Sequence, residues 1–318
     1  QAASEAVVEF DRYTLKPNKM QVAFIDNLAK MIEQNIDKAL LLSSTGTGKT
    51  YAAAFAMRHF GFNKVLFVVH RNQIAKQAMK SFCKVFGESV SMGMFSGTLN
   101  KKEIDRDYVF ATIQTLGKDE NLCLFKQEHF EAIIYDEAHH VSAASYKKVM
   151  DYFKPQFTLG MTATPDKRDD YIEGRNIYEI FNHNIAYEIR LQQAMEEDLL
   201  CPFHYFGITD LEWVDDTIGE NKNSTKEQKL EDFRYLTSDE RVDYVIRQAD
   251  YYGYSGDRVK GLIFCSRVNE AKELSQKMNV RGFRTIALDG SASEEMREKA
   301  IERPVSYTHL RAHETRSN

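Results

Sequence analysis

At 318 residues the chain is long enough for two domains, and its 43% hydrophobic and 28% charged residues fit a soluble globular protein rather than a disordered or membrane-spanning one. A formal net charge of −5 sets aside a global basic field that would advertise a nucleic-acid partner, although a groove on an acidic protein can be locally basic. The four cysteines (Cys83, Cys123, Cys201 and Cys265) form no C-x-x-C pair, which argues against a zinc site and leaves reduced core thiols as the expectation.

In chain order, residues 1–16 carry no pattern, and the start at Gln1 without Met reads as a fragment. No signal peptide or membrane-length run follows, so a cytoplasmic location is expected. Lys16-Pro17-Asn18 opens a helix on which Met20, Phe24, Ile25, Leu28 and Ile32 fall at helical spacing. Gln21 lies on its first turn, where a glutamine is by itself most often a solvated surface residue. Residues 39–42 read as a strand, 43–50 as a glycine-bearing loop, and 51–57 as the start of a helix that stops near Gly61. Residues 64–69 form a continuous apolar run, the pattern of a buried parallel strand, and end in His70-Arg71. A helix over 74–86, a weaker strand over 90–95 and a strand over 108–111 follow, the last ending in Thr112-Ile113-Gln114-Thr115. Residues 130–135 are the next buried strand and deliver Asp136-Glu137-Ala138-His139. A helix over 143–153 and a strand over 157–161 lead to Thr162-Ala163-Thr164-Pro165, and a polar surface loop is expected over 166–182. Strand and helix alternate throughout, which predicts an α/β fold with a parallel sheet. Every polar cluster falls at the C-terminal end of a strand, where open α/β sheets bind ligands.

A boundary near 182–184 divides the chain into a first domain over 1–183 and an incomplete second one over 184–303. In the second, strands over 185–190 and 203–208 flank a helix over 191–199, and the charged stretch 215–229 reads as an insertion. A helix over 239–251, a strand over 261–265 ending in Ser266-Arg267, a helix to about 279 and a strand over 284–288 complete it. Residues 304–318 fit no element of this pattern. They resemble the translation of a transposase mosaic-end adapter, and are set aside as a non-native tail.

The loop Ser43-Ser44-Thr45-Gly46-Thr47-Gly48-Lys49-Thr50 carries the first chemistry. Its glycines allow successive backbone N–H groups to turn toward one phosphate, and the following helix N-terminus favours the same anion. Lys49 would reach the β- and γ-phosphates and Thr50 would ligate Mg²⁺. The pattern G-x-x-x-x-G-K-[ST] is met except at its first position, where Ser43 stands for Gly. Asp136, expected on the strand beside the loop's own strand, would bind Mg²⁺ opposite Thr50, and Glu137 would orient the attacking water. His139 and His140 have no third ligand at metal spacing, so metal ligation by them is not expected.

Gln21, this loop, His70-Arg71, Ala111-Thr-Ile-Gln-Thr115, Asp-Glu-Ala-His, Thr-Ala-Thr-Pro and Ile263-Phe-Cys-Ser266 stand in the order of superfamily 2 helicase motifs, which the chain resembles over residues 15–303. Leu159-Gly-Met-Thr-Ala-Thr-Pro165 and Leu200-Cys-Pro-Phe-His-Tyr-Phe206 are similar to the DEAD/DEAH-box branch related to the motor (Res) subunit of type III restriction enzymes. The resemblance implies tandem RecA-like P-loop domains and an ATP-dependent DNA helicase or translocase. Thr45, Gly46, Thr47, Gly48, Lys49 and Thr50 would hold ATP, Gln21 would read the adenine edge, and Lys49, Asp136, Glu137 and His139 would serve catalysis. Thr162 and Thr164 would couple the γ-phosphate state to domain movement. His70, Arg71, Thr112, Gln114, Ser266 and Arg267 would line a nucleic-acid track and contact phosphates. A restriction motor that translocates without unwinding, an RNA helicase, and a nucleotide-gated binding module stand as alternatives. No arginine finger can be identified, since Arg311 and Arg316 lie in the tail. This polypeptide is therefore expected to bind ATP but hydrolyse it poorly, because a missing finger costs ~10³-fold or more.

Overall fold

Five apolar runs, buried throughout except for half-buried Lys38 at the start of the first, each became an inner strand of one parallel sheet. They are β1 (Lys38–Ser43), β2 (Val65–Val69), β4 (Tyr108–Thr112), β5 (Ala132–Asp136) and β6 (Phe157–Thr162). β3 (Met92–Phe95) and β7 (Ile185–Ile189) are only intermittently buried, and both lie at the edges. The order is β3-β4-β2-β5-β6-β1-β7, with every pairing parallel, so all C-terminal ends share one side of the sheet. The computed structural model describes residues 15–96, 103–141, 143–165, 176–207, 237–253, 261–293, 296–297, 300 and 308–312.

Alternate strand residues feed two cores. Leu41, Phe67, Ile134 and Leu159 pack with α1 (Lys19–Glu33), α2 (Lys49–Phe60) and α3 (Asn72–Phe86). Leu40, Leu66, Ile133 and Tyr135 pack on the other face with α4 (Ile113–Leu116), α5 (Asp119–Leu122), α6 (Ala144–Tyr152) and α7 (Ile177–Ile180). The small residues Ala52, Ala53, Ala54 and Ala56 let α2 lie close against the sheet and hold the loop before it in place. Gly160 on β6 is similarly constrained: a Cβ there would sit 2.6 Å from Phe181 Cζ and 2.8 Å from Leu40 Cδ2, both in the core. Gly160→Ala is expected to cost ~1–3 kcal/mol, read as a lower urea midpoint at unchanged slope.

β5 is not beside β1: β6 lies between them, so the acidic strand end and the phosphate loop face each other across Thr162. The chain divides into compact units at 1–203 and 204–318, not at 183/184, because β7 hydrogen-bonds to β1 and belongs to the first sheet. A short helix, α8 (Leu191–Glu196), follows β7, but 203–207 form no strand, and residue 208 lies outside the described residues, as does 215–229. The expected polar loop over 166–182 contains α7, anchored by buried Ile177 and Phe181, while 166–175 lie outside the described residues. Of the thiols, only Cys265 is buried; Cys83, Cys123 and Cys201 are exposed and unpaired.

The second unit holds α9 (Asp239–Tyr252), α10 (Val268–Val280) and a parallel three-stranded sheet in the order β8-β10-β9. Its strands are β8 (Leu262–Cys265), β9 (Thr285–Leu288) and β10 (Thr308–Ala312). Val242, Cys265, Ala271, Leu274 and Met278 form its core. β10 falls within the stretch that the sequence pattern set aside, yet its backbone pairs with both β8 and β9. Among the described residues no helix is long and apolar enough to cross a membrane.

Candidate functional site

The loop between β1 and α2 turns on two glycines in the left-handed region, Gly46 (φ 92°) and Gly48 (φ 91°). Gly48 is the residue at which α2 begins, and no side chain caps that end, so the first-turn N–H groups stay open to an anion. A Cβ at Gly48 would lie 2.9 Å from Gln21 Nε2, and one at Gly46 3.0 Å from Leu200 Cδ2. The departure at Ser43 has a physical account: its Oγ lies 2.5 Å from Thr47 Oγ1, which donates to the Ser44 carbonyl at 2.8 Å. Thr47 is thereby a staple across the loop, while Thr45 is exposed at its apex. Lys49 Nζ donates to the carbonyls of Ser43 (2.9 Å) and Ser44 (3.2 Å), which holds the ammonium inside the loop. Burial lowers the Lys49 pKa from the usual amine value, and the charges of Asp136 and Glu137 oppose that fall. No hydrogen bond among the described residues engages the Thr50 hydroxyl.

Gln21 is buried rather than solvated, because its side chain is committed at both ends. Oε1 accepts from Asn18 N (2.9 Å) in a reciprocal capping box at the start of α1, and Nε2 donates to Gly48 O (3.2 Å). It thus ties α1 to the phosphate loop.

Asp136 ends β5, and Glu137 follows with left-handed backbone (φ 52°, ψ 49°), a costly geometry for a glutamate, which turns its side chain out of the strand line. The two neighbouring carboxyls are driven apart. Burial, reinforced by the charge of Glu137, pushes Asp136 up to about 6, against the Glu137 N–H (3.0 Å), Lys49 and His139. Glu137 is held below the usual range, first by its hydrogen bond from the His139 ring. His139 Nδ1 lies 3.3 Å from Glu137 Oε2, 3.0 Å from Thr162 Oγ1 and 3.5 Å from Thr164 Oγ1. Thr162 is buried and also accepts from Thr164 N (3.1 Å). One ring nitrogen therefore serves oxygens from two different strand ends.

Asp136 yields a stability expectation. Its folded value lies above the ordinary 3.8, so the neutral form is favoured by folding: that contribution is whole below about 4 and lost as pH rises through about 6. Asp136→Asn is expected to stabilise the free protein by ~2–3 kcal/mol at pH 7.5. By urea unfolding, the gain should vanish near pH 4.

The expected track residues fare unequally. His70 and Arg71 end β2 exposed, and Gln114 is exposed on α4 with Nε2 3.1 Å from His70 Nδ1. Thr112 is a correction: it is buried, with its hydroxyl given to Thr115 Oγ1 (3.0 Å), because it turns inward where β4 becomes α4. Ser266 and Arg267 end β8 in the second unit, where Ser266 N donates to Glu270 Oε2 (3.0 Å). Two residues missed by the sequence reading lie at the site. His140 lies beside His139 with ring centroids 4.1 Å apart and planes inclined by 45°, and Leu200 packs over Gly46; adjacency to His139 was the available signal for the first, and its place at the head of the Leu200–Phe206 phrase for the second. Among the described residues no group of three or more His, Cys, Asp or Glu is arranged to hold a metal ion.

Residues 14–167 match the family described as type III restriction enzyme, res subunit. The EcoAI type I restriction enzyme endonuclease subunit of Escherichia coli is 26% identical over 293 residues, covering 82% of this chain and 34% of its own length. The chain thus spans about a third of that relative. Among solved structures, the ATP-dependent type ISP restriction-modification enzyme LlaBIII bound to DNA superposes with a TM-score of 0.60 at 17% identity, covering 94% of this chain and 24% of the other. Dbp5 of S. cerevisiae, bound to RNA and ADP BeF3, gives 0.57 at 14% identity, over 93% and 70% of the two chains. The chain shares with these structures the RecA-like α/β fold built on a parallel sheet.

Proposed function

Residues 14–167 match the family described as type III restriction enzyme, res subunit, and from that likeness we propose that the chain is part of a DNA motor. In this reading ATP hydrolysis drives movement of a helicase or translocase along DNA. One observation carries it: the Glu137–His139–Thr162 contact set lies on the strand ends between an uncapped phosphate loop and the exposed His70–Gln114 pair.

The chain's own groups divide the work. The open N–H groups of α2 and Lys49 bind the phosphates, and Lys49 exchanges two carbonyl acceptors for phosphate oxygens. Gln21, fixed at both ends, orients the loop and places an amide beside the nucleotide. Glu137, kept ionised by His139, holds and polarises the attacking water. Asp136 and Thr50 suit Mg²⁺: a buried carboxyl pushed up to about 6 gains from a cation, and the Thr50 hydroxyl makes no hydrogen bond among the described residues. When bound there, Mg²⁺ would neutralise charge on the phosphates. Thr162 and Thr164 sense the γ-phosphate through His139, and the two units move in response.

A second reading, the motor of a restriction system that translocates without separating strands, is favoured by the EcoAI relative. Strand displacement assayed beside ATP turnover separates the two. Turnover on duplex DNA with no displaced strand supports the restriction motor, and displacement supports the helicase.

A further inference from the structure

β4, β2, β5 and β6 are consecutive in the sheet, so their C-terminal ends make one continuous edge. Along it stand Gln114, His70, His140, His139 and Thr162, each against the next. Gln114 Nε2 is 3.1 Å from His70 Nδ1. The His70 and His140 rings are 5.6 Å apart with their planes inclined by 32°. His140 and His139 are 4.1 Å apart at 45°, and His139 Nδ1 reaches Thr162 Oγ1 and Glu137 Oε2. Exposure falls along the row: Gln114 and His70 are exposed, His140 is half-buried, and the His139 side chain is 8% exposed. A surface contact at one end therefore connects, ring by ring, to the carboxylate at the other.

We infer that His140 is a positioning residue that carries nucleic-acid occupancy at His70 and Gln114 to the His139–Glu137 pair. The inference rests on the proposed function and adds the element that links its two ligand sites. A DNA phosphate taken up by His70 or Gln114 re-seats the His70 ring. His140, packed against that ring and against His139, follows it, because packed side chains shift between discrete arrangements rather than stretch. His139 then settles between its two acceptors, and Glu137 is set for water. By reciprocity, a nucleotide that orders His139 tightens the hold on DNA by the same factor.

The test is a linkage measurement on the full-length protein. Affinity for a fluorescent DNA oligonucleotide is measured with and without a non-hydrolysable ATP analogue, for the parent, His140→Ala and His140→Phe. The parent is expected to bind DNA ~5–150-fold more tightly with the analogue present. His140→Ala should reduce that factor to within about twofold of unity while its affinity for each ligand alone stays within about threefold of the parent. His140→Phe, which keeps a packed ring, should restore most of it. Undiminished linkage in His140→Ala overturns the inference and leaves the proposed function standing. A His140→Ala protein that loses analogue affinity more than about tenfold also overturns it, because His140 would then support the nucleotide site directly. A parent that binds no DNA overturns the proposed function itself, and this inference with it.

Discussion

Glu137→Gln is expected to slow DNA-stimulated ATP hydrolysis by the full-length protein ~10²–10⁴-fold while ATP affinity stays within about threefold. The substitution keeps the volume of the side chain and its left-handed backbone, and removes only the ionised oxygen that faces His139. In the native chain that oxygen stays charged because the His139 ring donates to it, an effect that outweighs its burial. An amide cannot accept a proton from water at neutral pH, so the chemical step suffers and binding does not. Single-turnover hydrolysis beside nucleotide binding makes the separation. A loss confined to affinity would move Glu137 from the chemistry to the cradle.

The second large effect is expected at Lys49. Lys49→Ala should weaken ATP binding ~10–100-fold, since each charge-assisted hydrogen bond to phosphate is worth about 1.5–3 kcal/mol and the free ammonium already has two carbonyl partners to surrender. Thermal stability should fall little, because burial already lowers the Lys49 pKa and so disfavours the charged ammonium. Binding of a fluorescent ATP analogue reads the first, and a melting curve the second. Unchanged affinity would remove Lys49 from the phosphate site.

Much of the first unit was legible because its strands are buried on both faces, which writes them as unbroken apolar runs such as 65–69 and 132–136. Strand order was not legible: nothing in the local pattern places β6 between β5 and β1, because order is decided by how crossovers pack rather than by any one segment. The boundary at 183/184 failed for the same reason, since an edge strand such as β7 looks alike whichever sheet it joins. At the site, the residue types and their strand-end positions could be read directly, but their hydrogen bonds could not. Thr112 reads as an exposed strand end until the turn into α4 buries it, and Gln21 as solvated until Asn18 and Gly48 claim its amide. The second unit was less legible because β8 is mostly exposed and its sheet is completed by β10, whose sequence breaks the alternation of strand and helix.

In the proposed reading the nucleotide site and the strand-end edge form one ATP-driven motor that DNA stimulates. The most direct measurement is the ATP turnover of the full-length protein alone and with single-stranded DNA, duplex DNA and RNA, with Glu137→Gln alongside. Strong stimulation by DNA that vanishes in Glu137→Gln is the result expected. Stimulation by RNA alone would contradict the choice of partner, and turnover indifferent to every nucleic acid would contradict the motor.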